Sequence, residues 1–152
     1  MAENLESARI DAGDWPTCRL DELVQDEAPI VYGIVKPGQR QHEGGVKFLR
    51  PSEITDRGRI LFSEIQRVSH KKSEDYQRSI VRPGDLVLSV AGTIGKIAKI
   101  PRELDGANIS RSLARIRLNQ ERANPEYVAY ALQSPEVASQ YAEGETGSAV
   151  PV

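Results

Sequence analysis

The sequence predicts an α+β fold: a mixed, mostly antiparallel twisted sheet with short helices, the helices concentrated near the C-terminus. Three observations carry this expectation. Short runs of β-branched and apolar residues recur from Ile30 to Leu118, broken by Gly, Pro and charged residues. Two of these runs, Leu86–Val90 and Ile94–Ile100, flank a glycine-bearing turn and read as a hairpin. The strongest helix-start signals, Asn124-Pro125 and Ser134-Pro135, come late in the chain.

Taken in order, residues 1–13 lack hydrophobic periodicity and are expected to be a flexible leader, followed by a single domain over 14–152. Trp15 is expected at the edge of the core, and Thr17 can cap a short helix through Leu20–Leu23. Ile30–Val35 has the β-branched and aromatic content of a strand. Lys36 to Gly45 is a long polar loop, after which Val46–Leu49 resumes a strand. Pro51-Ser52-Glu53-Ile54 suggests a helical turn, and Asp56-Arg57-Gly58-Arg59 a turn with two arginines. Ile60–Phe62 and Ile65–Val68 are short apolar pieces. Ser69–Tyr76 is charged, a loop with a helical turn.

Arg82-Pro83-Gly84-Asp85 is a turn, with Pro fixing φ and Gly free to take φ > 0. Leu86–Val90 is apolar on both faces apart from Ser89, which suits a strand buried in the middle of a sheet. In Leu113–Leu118, Ala114, Ile116 and Leu118 alternate with Arg115 and Arg117, predicting a half-exposed strand with both arginines outside. Asn124 caps a helix with Pro125 in its first turn; Tyr127, Val128, Ala131 and Leu132 are spaced for one buried face. A second helix starts at Ser134-Pro135 and stops at Gly144.

At 152 residues the chain is long enough for one domain with a core of its own. No apolar run approaches the roughly 18 residues needed to span a membrane. The polar, acidic start does not resemble a signal peptide, and the single Cys18 agrees with a reducing cytoplasm. Net charge is −2, but its distribution is uneven. Residues 1–30 carry 8 acids against 2 bases, and 123–152 carry 4 acids and no base. Residues 31–122 hold 18 bases and 10 acids. A basic middle between acidic ends is an electrostatic footprint for a polyanion. The alternative is a solvated surface whose charges happen to cluster.

The loop between Leu86–Val90 and Ile94–Ile100 offers Thr93 and Lys96 beside Gly92 and Gly95. A phosphate-cradling Walker loop would need Gly five residues before the Gly of the Gly-Lys pair and Ser or Thr after it. Val90 and Ile97 occupy those places, so the pattern fails twice. The glycines can also serve the turn alone. Histidines and carboxylates show no metal or catalytic spacing, and there is no Asn/Asp-Pro-Pro-Tyr/Phe methyltransferase signature.

Pro83-Gly84-Asp85-Leu86-Val87-Leu88-Ser89 followed by Gly92-Thr93-Ile94-Gly95-Lys96 resembles the central motif of target recognition domains in the specificity subunits of type I restriction-modification systems. Further pieces fit in the same order: Val31–Ile34, Lys47–Ile54, Ala107–Arg111, Asn124–Leu132 and Gly147–Pro151. The resemblance covers roughly Trp15 to Val152. It implies a twisted sheet with long recognition loops on one side. It also implies a cytoplasmic, non-catalytic module without a cofactor, reading one half of a bipartite site on double-stranded DNA. Catalysis would belong to methyltransferase and nuclease partner subunits, which bind S-adenosylmethionine and ATP. The family's second recognition domain and helical spacers have no counterpart here, so a second domain or self-association would complete the site.

The candidate DNA-binding residues are Tyr32, Lys36, Gln39, Arg40, His42, Lys71, Lys72, Thr93, Lys96, Ser110 and Arg111. Gln and Arg can read adenine and guanine edges bidentately, while Lys71 and Lys72 suit phosphate. Lys36, Arg40, Lys71, Lys72 and Lys96 are expected on one side of the molecule. Arg111 has a structural alternative, an ion pair with an acid such as Asp105. Two other functions remain open on sequence: a protein-interaction domain with a basic face, and a nucleotide-binding enzyme using the Gly92–Lys96 loop.

Overall fold

The computed structural model of the protein describes residues 16–41 and 43–143. The expected leader, Trp15, His42, the stop at Gly144 and the Gly147–Pro151 stretch lie outside them. Strands β1 (Val31–Tyr32), β4 (Leu86–Ser89), β5 (Ile97–Lys99) and β7 (Leu113–Ile116) form one sheet in the order β1-β7-β4-β5, all neighbours antiparallel. Strands β2 (Val46–Leu49), β3 (Gln66–Val68) and β6 (Asn108–Ile109) form another, in the order β3-β2-β6. There β2 runs antiparallel to β3 and parallel to β6. Helix α1 (His70–Asp75) follows β3, while α2 (Pro125–Leu132) and α3 (Pro135–Glu143) come last. The class is the expected α+β with mixed pairing, but the strands divide between two sheets.

The division follows from which faces are apolar. Strand β4 is buried along its whole length. Its Val87 joins Ala98, Leu113, Leu49 and Ile109 in a core between the sheets. Leu86 and Leu88 point the other way, to Ile97, Ile116, Val128 and Leu132, so α2 covers the outer face. Alternation in β2 does the same sorting: Leu49 enters the shared core and Phe48 turns to Val68 and Ile34.

Strand β1 is shorter than Ile30–Val35 because the chain changes sheets at Gly33. Tyr32 pairs with Ala114 of β7, whereas Ile34 bridges Ser110, just beyond β6. Gly33 lies against the Ile109 carbonyl so closely that a Cβ would sit 1.8 Å from that oxygen. The Val31–Ile34 motif is thus a crossing point that only a residue without a side chain can make.

Four local expectations are corrected. The turn at Leu20–Glu22 is 3-10, and Arg19 rather than Thr17 precedes it, its amide donating to Glu22 Oε2 at 3.0 Å. The return strand is Ile97–Lys99, because Ile94–Lys96 belong to the turn. In α2 the buried residues are Val128 and Leu132, while Tyr127 is 72% exposed. Arg115 and Arg117 do not face solvent. Arg115 is buried, donating to the carbonyls of Pro29 (3.0 Å) and Arg78, and Arg117 grips Asp85. The polar face of β7 is therefore interior: the terminal nitrogens of Arg115 meet carbonyls and Arg117 meets one carboxylate, while Arg115 Nε has no partner among the described residues.

Other signals map directly. Asn124 Oδ1 accepts from Glu126 N at 2.8 Å and Tyr127 N at 3.3 Å, capping α2. Asn124→Ala should cost about 1 kcal/mol, visible as a lower denaturant midpoint. An unchanged midpoint would show that α2 is held by packing alone.

Candidate functional site

The β4–β5 turn is built around Ser89. Ser89 N donates to Lys96 O at 2.8 Å, Gly95 N to Ser89 O at 2.9 Å, and Lys96 N to Ser89 Oγ at 2.8 Å. The polar residue in an otherwise apolar strand is there to accept an amide that the turn would leave unpaired. Ala91 to Thr93 form the exposed tip. Gly95 lies under α3, where a Cβ would be 3.4 Å from the Tyr141 hydroxyl oxygen. That hydroxyl donates to Leu132 O at 2.8 Å, and burial raises its pKa.

Two further segments meet this turn. Val90 N donates to Ser112 O at 2.9 Å, joining the turn to Ser110-Arg111-Ser112. The Lys96 ammonium donates to Pro51 O at 3.2 Å, joining it to the end of β2. The Pro51–Glu53 turn is held by Glu53, whose fully buried carboxylate accepts from Arg50 N (2.7 Å), the Arg50 guanidinium and Ser52 Oγ (3.1 Å). Ser110 N donates to Leu49 O and Arg111 N to Ile34 O. Arg111 projects exposed from this junction, and no carboxylate of the described residues lies within ion-pair distance. The expected alternative, a pair with Asp105, does not form.

The register of β2 divides the remaining candidates. Lys36 follows Ile34, which bridges Ser110 at the Leu49 end of β2; Lys96 and Arg111 are at this end too. Val68 pairs with Val46, so Lys71 and Lys72 of α1 start from the opposite end of β2. Gln41 bridges Arg67 antiparallel, which carries Arg40 toward that same opposite end. The five cations expected together thus fall into two groups, joined by the exposed loop holding Lys36, Gln39 and Arg40. Sequence could not place them, because the register of β2 with β3 decides it. Ser110 is half-buried, its hydroxyl accepting from Ser112 N at 3.2 Å, and Tyr32 is half-buried at a sheet edge with its pKa raised by burial.

The Asp85 of the turn motif is structural. It is buried, accepts from Arg82 N at 2.8 Å, and pairs in both arms with Arg117 at 2.9 and 2.8 Å. The hydrogen bond to Asp85 raises the Arg117 pKa. Desolvation and then the Arg117 charge lower that of Arg115. A polar cleft of about 160 Å³ lies beside this pair, lined by Gln25, Arg82, Arg117 and Gln120. Small-molecule sites run from roughly 300 Å³ upward, and this cleft does not include the Gly92–Lys96 turn. Nucleotide binding through that turn gains no support. Among the described residues no His, Cys, Asp and Glu cluster could hold a metal, and no helix is long and apolar enough to cross a membrane.

Over 122 residues, 80% of the chain, the sequence is 31% identical to the type I restriction enzyme EcoBI specificity subunit of Escherichia coli. The chain is homologous to part of a type I specificity subunit. It spans 25% of that relative's length, which fits a single target recognition domain. The fold agrees. An HsdS subunit from Thermoanaerobacter tengcongensis superimposes on 81% of the chain with a TM-score of 0.57, at 22% identity and 30% of its own length. A chain from a study of type I restriction-modification complex assembly matches 89% with a TM-score of 0.58, at 21% identity and 33% of its length. No protein-family model matches. In this chain the motif residues Gly33, Glu53, Asp85 and Ser89 build the frame.

Proposed function

We propose that the chain is a DNA target recognition domain, reading one half of a bipartite site on double-stranded DNA. In this reading it is a cytoplasmic module without catalysis or cofactor of its own. Methyltransferase and nuclease subunits are its partners, and a second recognition domain or a second copy supplies the other half-site. The observation that supports it is the joining of two loops by the Val90 N–Ser112 O bond at 2.9 Å, with Thr93 and Lys96 on one loop and the exposed Arg111 on the other. A guanidinium without a carboxylate partner keeps its donors for a base edge or phosphate. Lys36 at the same end, and Gln39 and Arg40 along the loop, extend the reach. Lys71 and Lys72 would touch phosphates further away.

A lone module of this kind buries only about 600–1,000 Å² on DNA, so partners add much of the affinity. The test is a selection from random duplexes by the chain with its methyltransferase subunit, followed by salt titration of variants. Arg111→Ala should lose about 1–3 kcal/mol and relax preference at one base pair. Lys96→Ala should weaken all sequences alike and flatten the logarithmic salt slope by about one unit. If Arg111→Ala lowers thermal stability and leaves the base preference intact, Arg111 is a structural residue and its assignment fails.

A further inference from the structure

We infer that the Ile54–Ile60 hairpin is an additional DNA-backbone contact, with Arg57 and Arg59 taking phosphates. This rests on the recognition-domain reading, and it concerns two arginines outside the candidate DNA-binding residues named from the sequence.

The hairpin is fixed at both ends. Its stem is the antiparallel bridge between Ile54, buried in the shared core, and Ile60, packed against that core. Its tip is closed by Thr55 N to Arg59 O (2.8 Å), Gly58 N to Thr55 O (2.9 Å) and Arg59 N to Thr55 Oγ1 (3.0 Å). Gly58, at φ +78°, lies on β5 so closely that a Cβ would be 2.4 Å from Ile97 O. Ile97 directly follows Lys96, and Lys96 Nζ reaches Pro51, three residues before Ile54. The tip is therefore seated at the start of β5, beside the turn that carries Thr93 and Lys96.

Arg57 and Arg59 are both exposed, and neither lies within ion-pair distance of a carboxylate among the described residues. Asp56, the acid within the turn, is exposed and leaves the tip with a net positive charge. A glycine-seated turn holds two planar guanidinium groups on a backbone that need not reorganise on binding. Planar forks suit phosphate oxygens, and contacts of this kind orient a protein on a duplex without reading its sequence. With Lys96 and Arg111, they would extend the contact line across the start of β5.

The test compares the full chain with the double variant Arg57→Gln/Arg59→Gln, each together with the methyltransferase subunit, on the selected duplex and on a random duplex, across a salt series. Arg19→Gln is the control: Arg19 is exposed but paired with Asp21 at 2.8 Å, on a turn that packs with the outer core under α2. The expected result is equal weakening on both duplexes and a salt slope shallower by about two units, with unchanged melting temperature. An unchanged slope in the double variant, against a steep slope in the parent chain, overturns the hairpin contact and leaves the recognition reading standing. The same loss from Arg19→Gln would show diffuse charge at work and overturns it too. Weakening confined to the selected duplex would make the arginines base readers and overturns the phosphate assignment. A parent chain without salt-dependent binding overturns both readings.

Discussion

Replacing Asp85 with alanine should destabilise the fold by about 3–5 kcal/mol, because it leaves a largely buried guanidinium without its counter-ion. Asp85 is 3% exposed and Arg117 14%, so little water reaches the pair to compensate. The same carboxylate also closes the Arg82–Asp85 turn through Arg82 N, and this amide would lose its acceptor as well. For a chain of this size the melting temperature should fall by about 10 °C. The double variant Asp85→Ala/Arg117→Met should recover part of the loss, since an apolar chain needs no partner in that position. A single-variant loss below about 1 kcal/mol would show that the pair does not tie β4 to β7.

Gly33→Ala should be of comparable severity, at roughly 3 kcal/mol. The conflict is with a backbone oxygen at 1.8 Å and another, Ser110 O, at 2.7 Å. A side chain could rotate away, but these carbonyls are the acceptors for Ile34 N and Gly33 N, at 2.8 and 3.3 Å. Moving them unpicks the junction that carries Arg111. The variant should therefore lose both melting temperature and DNA affinity. Normal stability in this variant would mean that the sheet junction yields easily, and the crossing would no longer account for the glycine.

Much of the frame was legible in the sequence. An apolar run with one serine announced β4, and the paired start signals announced α2 and α3. Pro51-Ser52-Glu53 was read as a turn, and it is one. What escaped was set by distant parts of the chain. Alternation along β7 tells which residues share a face, but not what that face meets. The Arg115 side is met by the carbonyls of residues 29 and 78, which no local pattern encodes. Gly33 gave no sign that the chain changes sheets there, because its close neighbour is Ile109. The cations could not be grouped for the same reason. Lys96 and Lys72 are separated by the direction of β2, and that direction acts only once β3 and β6 have paired with it.

These distant pairings also govern how the protein comes into being. Strands β2 and β3 can meet as soon as both exist, but Val31 must wait for Arg115 and Phe48 for Asn108. Closing such long loops before any contact rewards them makes folding slow. On a ribosome adding roughly 5–20 residues each second, β1 would spend several seconds without its neighbour. Until β7 emerges, Leu49 and the apolar flank of β4 have no completed core to enter. The nascent chain is thus at its most adhesive just before β7 emerges, and its yield in cells should respond more to chaperone supply and growth temperature than its final stability would suggest.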